Sequence, residues 1–220
     1  VTREVGALDV GEVGLLEALV VAPDGAHDAR PRSLQDEEAA RAALEQAAAQ
    51  YAAGVLTLAD AVRVIYYRST LQQRTTGSGR MLAVGMTPET LDKAVADAGP
   101  SVSVAAINSP SAVTLSGDGE ILESMASQLE TFGVFHRFLQ VKVPYHSHYM
   151  DPLREELQAG LAQLSPVSAR IPLYSTVIGG RIDGAGADGR YWWQNVRATV
   201  LFSAAFAQMI DDGYTHFVEV

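Results

Sequence analysis

The sequence predicts an α/β protein, and three observations carry that expectation. Residues 80–143 read as strand, helix, two strands, helix and strand. Residues 36–74 carry two consecutive helical stretches. Hydrophobic residues make up 48% of the chain and charged residues 19%, the balance of a packed core rather than a solvated chain.

The central unit has the clearest pattern. Met81–Gly85 is a short apolar strand. Thr87 is placed to cap a helix with Pro88 in its first turn, and Leu91, Ala94, Val95 and Ala98 turn inward. Gly99-Pro100 stops that helix. Ser101–Ile107 alternates Val102, Val104 and Ala106 as a strand, and Asn108-Ser109-Pro110 turns the chain. Ala112–Leu115 is the next strand, ending at Ser116-Gly117-Asp118-Gly119. Glu120–Phe132 is an amphipathic helix with Ile121, Leu122, Met125 and Leu129 on one stripe, and Phe135–Val141 is the last strand. The order β-α-β-β-α-β is that of a ferredoxin-like unit.

The flanks read less sharply. Val13–Ala22 is an apolar run of either helix or strand, Pro23-Asp24-Gly25 is a turn, and Ala26–Gln35 reads as loop. Asp36–Gly54 is Ala-rich and helical, with Gly54 as its C-cap. A second helix starts at Thr57, where Thr57 and Asp60 have capping-box spacing, and runs to Arg74. Its apolar stripe is Leu58, Ala61, Val62, Ile65 and Tyr66, which puts Arg68 at the border of the buried face. After Val143 come a loop over Pro144–His148, a helix over Asp151–Leu164 and a strand over Ile171–Val177. A Gly-rich turn over Gly179–Gly189 and a helical stretch near Phe202–Asp212 follow. Phe217–Val220 is a closing apolar strand, and a chain that starts on Val1 and stops on a strand reads as cut.

Composition excludes several functions. Sixteen basic residues against 26 acidic give a formal net charge of −10, which argues against a nucleic-acid surface and offers little attraction to an anionic membrane. No stretch reaches the ~20 apolar residues of a membrane span, and the start lacks a signal-peptide pattern, so a cytoplasmic protein is the expectation. Without cysteine there is no disulfide, thiolate nucleophile or Cys-ligated metal.

Three clusters carry possible chemistry. The first, Val143-Pro-Tyr-His-Ser-His-Tyr-Met150, places His146 and His148 two apart in a loop. Nothing nearby supplies the three or four ligands of a zinc site, so no metal is assigned. A general base is open to a histidine with an ordinary pKa of about 6.5. So is a plain polar loop. The second, Tyr66-Tyr67-Arg68-Ser69, sets a guanidinium beside a buried face, where it either grips a carboxylate with paired hydrogen bonds or forms a structural ion pair. The third, Tyr191-Trp-Trp-Gln-Asn195, reads by itself as an aromatic core anchor.

Taken together the clusters resemble the acyltransferase domains of type I polyketide synthases, relatives of the malonyl-CoA:acyl-carrier-protein transacylase of fatty-acid synthesis. The resemblance rests on Ala52–Arg63, Tyr67-Arg68-Ser69, Gly79–Val84, Ala106–Pro110, Val113–Gly117, Val143–His148, Tyr191–Asn195 and Phe217–Val220, in that order along the chain. It implies a hydrolase-like α/β body, residues 47–79 and 144–220, carrying the ferredoxin-like subdomain at 80–143. Residues 1–46 do not resemble the family. It further implies a ping-pong transfer in which a serine takes an acyl group from coenzyme A and passes it to the phosphopantetheine thiol of an acyl carrier protein. Acyl-CoA is then a substrate, no cofactor is bound, and neighbouring synthase domains are partners.

By position His148 resembles the histidine that activates the serine, and Arg68 the arginine that clamps the free carboxylate of a malonyl-type group. Asn195 sits where a backbone carbonyl orients the histidine ring, the role of Asp in a Ser-His-Asp triad. Tyr145 and Ser147 fall in the extender-unit signature and are like the methylmalonyl pattern, from which His146 departs. Iterative synthases with a similar loop use malonyl units.

One departure bears on activity. The family's nucleophile sits in Gly-His-Ser-x-Gly-Glu on a sharp strand-to-helix turn, shortly before the position of Ala52. Nothing in this chain fits Gly-x-Ser-x-Gly. Ser78, in Thr76-Gly-Ser-Gly79, lies after the arginine helix, and Ala7–Glu12 echoes the motif with Asp9 in the serine position. The alternative expectation is therefore a remnant that binds acyl-CoA or carrier protein without catalysis, and that is poorly soluble or dimeric through exposed apolar surface.

Overall fold

The computed structural model describes residues 34–217, and the side chains from residue 43 onward. The expected features in Val13–Ala22, Pro23–Gly25 and Ala26–Ser33 lie outside the described residues, as do Val218–Val220 of the expected closing strand.

Two helices open the described chain, α1 (Leu34–Ala52) and α2 (Leu58–Gln73). Gly54 follows α1 at φ +78°, the left-handed position that ends a helix cheaply only for glycine. Thr57 caps α2: its hydroxyl oxygen accepts from the Asp60 N–H at 3.1 Å and its O–H donates to the Asp60 carboxylate at 2.8 Å. The buried face of α2 is Ala61, Val64, Arg68, Leu71 and Gln72, whereas Leu58, Val62 and Tyr66 are exposed. The stripe expected from hydropathy is thus rotated. Two polar residues, Arg68 and Gln72, are buried, and a hydrophobicity pattern cannot include them.

The central unit follows in the expected element order: β1 (Arg80–Val84), α3 (Pro88–Ala98), β2 (Val102–Ser109), β3 (Ala112–Gly117), α4 (Gly119–Thr131) and β4 (His136–Phe138). The strands form one antiparallel sheet in the order β2-β3-β1-β4. Leu82, Val84, Leu115, Val113 and Val102 from the sheet, Leu91 from α3 and Leu122 from α4 are buried together as a separate core. Each contributes roughly 1.5–3 kcal/mol of burial. The last strand is only three residues long, shorter than the expected 135–141.

The remaining chain returns to the helices. A 3-10 helix (His148–Leu153) leads into α5 (Arg154–Gly160), where the sequence predicts one continuous helix; Pro152 lies inside the 3-10 segment and supplies no N–H to an α-helical ladder. A hairpin of β5 (Leu173–Ser175) and β6 (Gly180–Ile182) places a strand in what reads as a Gly-rich turn. Helix α6 (Gly189–Arg197) is distinct from α7 (Phe202–Asp211). Asp188 caps α6 by accepting from the N–H groups of Arg190 and Tyr191. Trp192, fully buried, anchors the core shared by α1, α2, α5 and α6.

The bodies are joined at Thr199 and Val200, among other contacts. Val200 bridges Ala106 in parallel, with the Val200 N–H donating to Ala105 and the Ile107 N–H donating to Val200. Thr199 Oγ1 donates to the Val104 carbonyl at 2.7 Å. Exposed ion pairs brace the helices: Arg74 grips Glu156 through both nitrogens at 2.6 and 2.9 Å, and Arg197 reaches Asp151 at 2.7 Å. Each such surface pair contributes about 1 kcal/mol or less.

Gly117, at the end of β3, is required by close backbone approach: a Cβ there would lie 2.0 Å from the Ser101 carbonyl oxygen. Gly117→Ala is expected to cost about 1–3 kcal/mol in urea denaturation. Gly186→Ala, where a Cβ meets open space, is expected to stay within about 0.5 kcal/mol.

Candidate active site

The site is built around Arg68, which projects from the middle of α2 into the core and is only 3% exposed. Its Nη1 donates to Gln46 Oε1 on α1 at 2.9 Å, and its Cζ lies 5.6 Å from the centre of the Trp192 ring. Its Nε–H is buried without an acceptor, and no carboxylate among the described residues pairs with it. Burial draws its pKa down to about 10, partly offset by the nearby Tyr145 and Tyr191. The guanidinium remains charged at neutral pH, so the core holds a buried cation for which no described residue provides the counter-charge.

Other orphaned polar atoms share this core. Gln50 Oε1, Gln72 Oε1, Trp192 Nε1 and Asn195 Oδ1 are buried without hydrogen-bond partners among the described residues. Buried polar groups are normally satisfied, so such a concentration marks a place built for something other than packing. Tyr191, on α6, shares a hydrogen bond of 2.9 Å with Ser175, and its pKa is raised mainly by burial.

The loop Val143–His148 places the remaining candidates. Tyr145 is buried near Arg68. Ser147 is fully buried, and its hydroxyl is engaged with the Pro144 carbonyl at 2.6 Å, so it shapes the loop from within. His146 adopts φ +59°, which is unusual for a residue with a side chain. Its Nδ1 pairs with the Ala198 carbonyl at 2.8 Å. An accepting carbonyl means that Nδ1 carries the proton.

His148 begins the 3-10 helix, its ring against Tyr149 with centroids 4.1 Å apart. Its Nε2 lies 3.5 Å from Asp118 Oδ1, and its Nδ1 is buried without a hydrogen-bond partner. The Asn195 carbonyl therefore makes no hydrogen bond to this ring. Structure brings Arg68, Tyr145, His146, Tyr191 and Trp192 into one cluster, and His148 into another with Asp118 and Tyr149. Gln46, Gln50 and Asp118 are the members that reading the sequence missed, whereas Trp192 and Tyr149 lie within clusters the sequence singled out, Trp192 as the expected core anchor. Asp118 is 30 positions from His148 and carries no spacing signal. Among the described residues no group of three or more His, Cys, Asp or Glu is arranged to hold a metal ion, and no helix is long and apolar enough to cross a membrane.

Burial lowers the His146 pKa to about 4, with the charges of Arg68 and Arg197 acting in the same direction. The unfolded chain then binds a proton that the folded chain rejects between pH ~6.5 and ~4, so stability falls as pH falls through that window. The loss is expected to be about 3 kcal/mol in full, read by urea denaturation at pH 7 and pH 4. It should be absent from His146→Asn, which tolerates the same backbone conformation.

A family model described as "Acyl transferase domain" matches residues 44–220. Polyketide synthase GfsB of Streptomyces halstedii is 39% identical over 173 residues, covering 78% of this chain and 3% of that protein. A solved loading acyltransferase from the avermectin modular polyketide synthase superposes with a TM-score of 0.73 at 34% identity, over 78% of this chain and 55% of that one. A malonyl CoA-acyl carrier protein transacylase from Clostridium perfringens gives a TM-score of 0.70 at 27% identity, over 78% and 56%. The chain thus spans a few per cent of the length of its curated relatives and about half of the solved domains. By the extent of these matches, the chain belongs to the acyl transferase domain family, alongside the acyltransferase domains of polyketide synthases.

Proposed function

We propose that this chain supplies the carboxylate-holding and proton-transfer parts of an acyltransferase site that loads malonyl- or methylmalonyl-type units from coenzyme A onto an acyl carrier protein. The observation that carries the reading is Arg68: a buried guanidinium with an unsatisfied N–H and no acidic partner among the described residues. A free carboxylate on the acyl group would provide both the missing acceptor and the missing charge. Asn195 and Tyr145 line the same core, and Ser147 fixes the loop that carries Tyr145 and His148. The strand order β2-β3-β1-β4 supports reading 80–143 as a ferredoxin-like subdomain on a hydrolase-like body. A cytoplasmic location, with neighbouring synthase domains as partners, goes with this function.

In the reaction, a serine oxygen attacks the thioester carbonyl while a base takes its proton, and coenzyme A leaves as the thiol. The pantetheine thiol then gives its proton to the base as it attacks the acyl-serine, and that proton passes to the departing serine oxygen. His148 is the residue for the proton transfers. The acyl-CoA is consumed as substrate, and no cofactor enters.

A second reading, a binding module without catalysis, is favoured by one specific observation. Helix α1 runs unbroken from Leu34 to Ala52, with no strand-to-helix turn where a nucleophilic serine belongs, and no Gly-x-Ser-x-Gly occurs in the chain.

Malonyl-CoA and methylmalonyl-CoA are expected to raise the melting temperature, and acetyl-CoA, which lacks the free carboxylate, is not. Comparing the first two shows which extender the Tyr145–Ser147 loop prefers. Arg68→Met should leave stability unchanged or raise it, since it removes a buried unpaired charge. It should weaken malonyl-CoA binding by about 2–5 kcal/mol in calorimetry. Incubated alone with either extender, the chain is expected to gain no mass in intact-protein mass spectrometry. A gain that disappears in His148→Ala would establish a serine nucleophile within the chain and overturn the second reading.

A further inference from the structure

Away from the arginine core, a cleft of about 680 Å3 opens where α1 ends and α2 begins, lined by Tyr51, Val55, Leu56, Val167 and Ile171. Tyr51, Val167 and Ile171 are 47%, 54% and 56% exposed, so about half of each apolar side chain is uncovered by any described residue. Single exposed apolar residues are ordinary, whereas several on one concave surface mark a place of contact. The only charged side chain lining the cleft is Arg170. A second cleft of about 410 Å3 shares Arg170 and Ile171 and adds Arg181 and Asp183. Asp183 accepts from the Ser168 hydroxyl at 3.0 Å. Neither arginine forms an ion pair among the described residues. On a chain of net charge −10, this is an apolar groove with a locally basic rim.

We infer that the groove is the docking site of this chain's own apolar run Val13–Ala22, with Glu17 set against Arg170 and Arg181. The run lies outside the described residues, and its sequence fits the groove in composition, charge and reach. Leu15, Leu16, Leu19 and Val20 offer the apolar side chains that would cover Tyr51, Val167 and Ile171. Glu17, the one charged residue of the run, supplies the carboxylate that the two arginines lack. Residues 23–33 join the run to Leu34, a link that extends to roughly 40 Å. Helix α1 is 19 residues long, about 28 Å from Leu34 to its end beside the cleft. The run can therefore return along α1 and reach the groove.

Charge disfavours a second copy of the chain as the occupant. A two-fold contact sets a patch against itself, and would oppose Arg170 and Arg181 to their own counterparts. Docked within its own chain, the run takes the exposed apolar surface out of water and leaves the protein monomeric. No residue of the proposed acyl-transfer site takes part, so the docking is independent of that function.

The chain has no cysteine, so an introduced pair reports one separation. In the full chain, Leu16→Cys is combined with Val167→Cys, treated with a short bismaleimide, and read by intact mass and peptide mapping. The control combines Leu16→Cys with Phe132→Cys, at an 80% exposed position on the small sheet unit. The expected result is an intrachain crosslink about tenfold more abundant in the first pair than in the control, as the higher effective concentration requires. Ile171→Cys in place of Val167→Cys repeats the measurement from a second lining position. Glu17→Arg should lower the yield about threefold, and adding Arg170→Glu should restore it. Equal yields in the two pairs would overturn the assignment, as would a yield indifferent to Glu17→Arg. Crosslinks formed mainly between chains would also overturn it, and would identify a second copy as the occupant.

Discussion

A single positive charge in the core organises this fold. Arg68 is placed by α2 at a depth where an isolated ion is costly, and the described residues surround it with an amide oxygen and an aromatic face rather than a carboxylate. An arginine buried for stability alone would be matched by an acid, since removing one member of a buried pair is costly and keeping both can break even. The neighbouring orphaned atoms of Gln50, Gln72, Trp192 and Asn195 extend the same deficit. Local stability is given up where a ligand with a negative charge would restore it.

The rest of the structure serves to hold that arrangement. α1 and α2 pack closely through Ala47, Ala61 and Val64, small enough for Gln46 to meet Arg68. α6, anchored by Trp192, closes the other side, and the loop at Val143–His148 brings Tyr145 and His146 to it. The small sheet has its own core, yet it is tied to the body at Ala106–Val200 and again at Asp118–His148. His148, the residue proposed for proton transfer, therefore touches both bodies.

Much of this was legible in the sequence because local rules agree with the fold. Thr57, Thr87 and Gly54 mark helix ends by chemistry that depends on their immediate neighbours alone. The β-α-β-β-α-β order followed from alternation and amphipathic spacing. What failed did so for tertiary reasons. The buried face of α2 includes Arg68 and Gln72, so a hydropathy stripe pointed to Leu58, Val62 and Tyr66 instead. Helix α6 was hidden because Tyr191-Trp192-Trp193 reads as an aromatic cluster, and its start depends on Asp188 capping from outside that cluster. Asp118 could not be linked to His148, since the contact spans a separation that only the antiparallel sheet closes. Tyr149 adjoins His148, but the acceptor of its hydroxyl, Asp118, lies 31 positions away.

A crystal structure of the chain soaked with malonyl-CoA tests the central claim most directly. The account predicts the free carboxylate against Arg68, accepting from the now unsatisfied Nε–H, with the thioester lying toward the Tyr145–His148 loop. Malonyl-CoA bound elsewhere, or bound with its carboxylate in solvent while Arg68 keeps only Gln46, would contradict it.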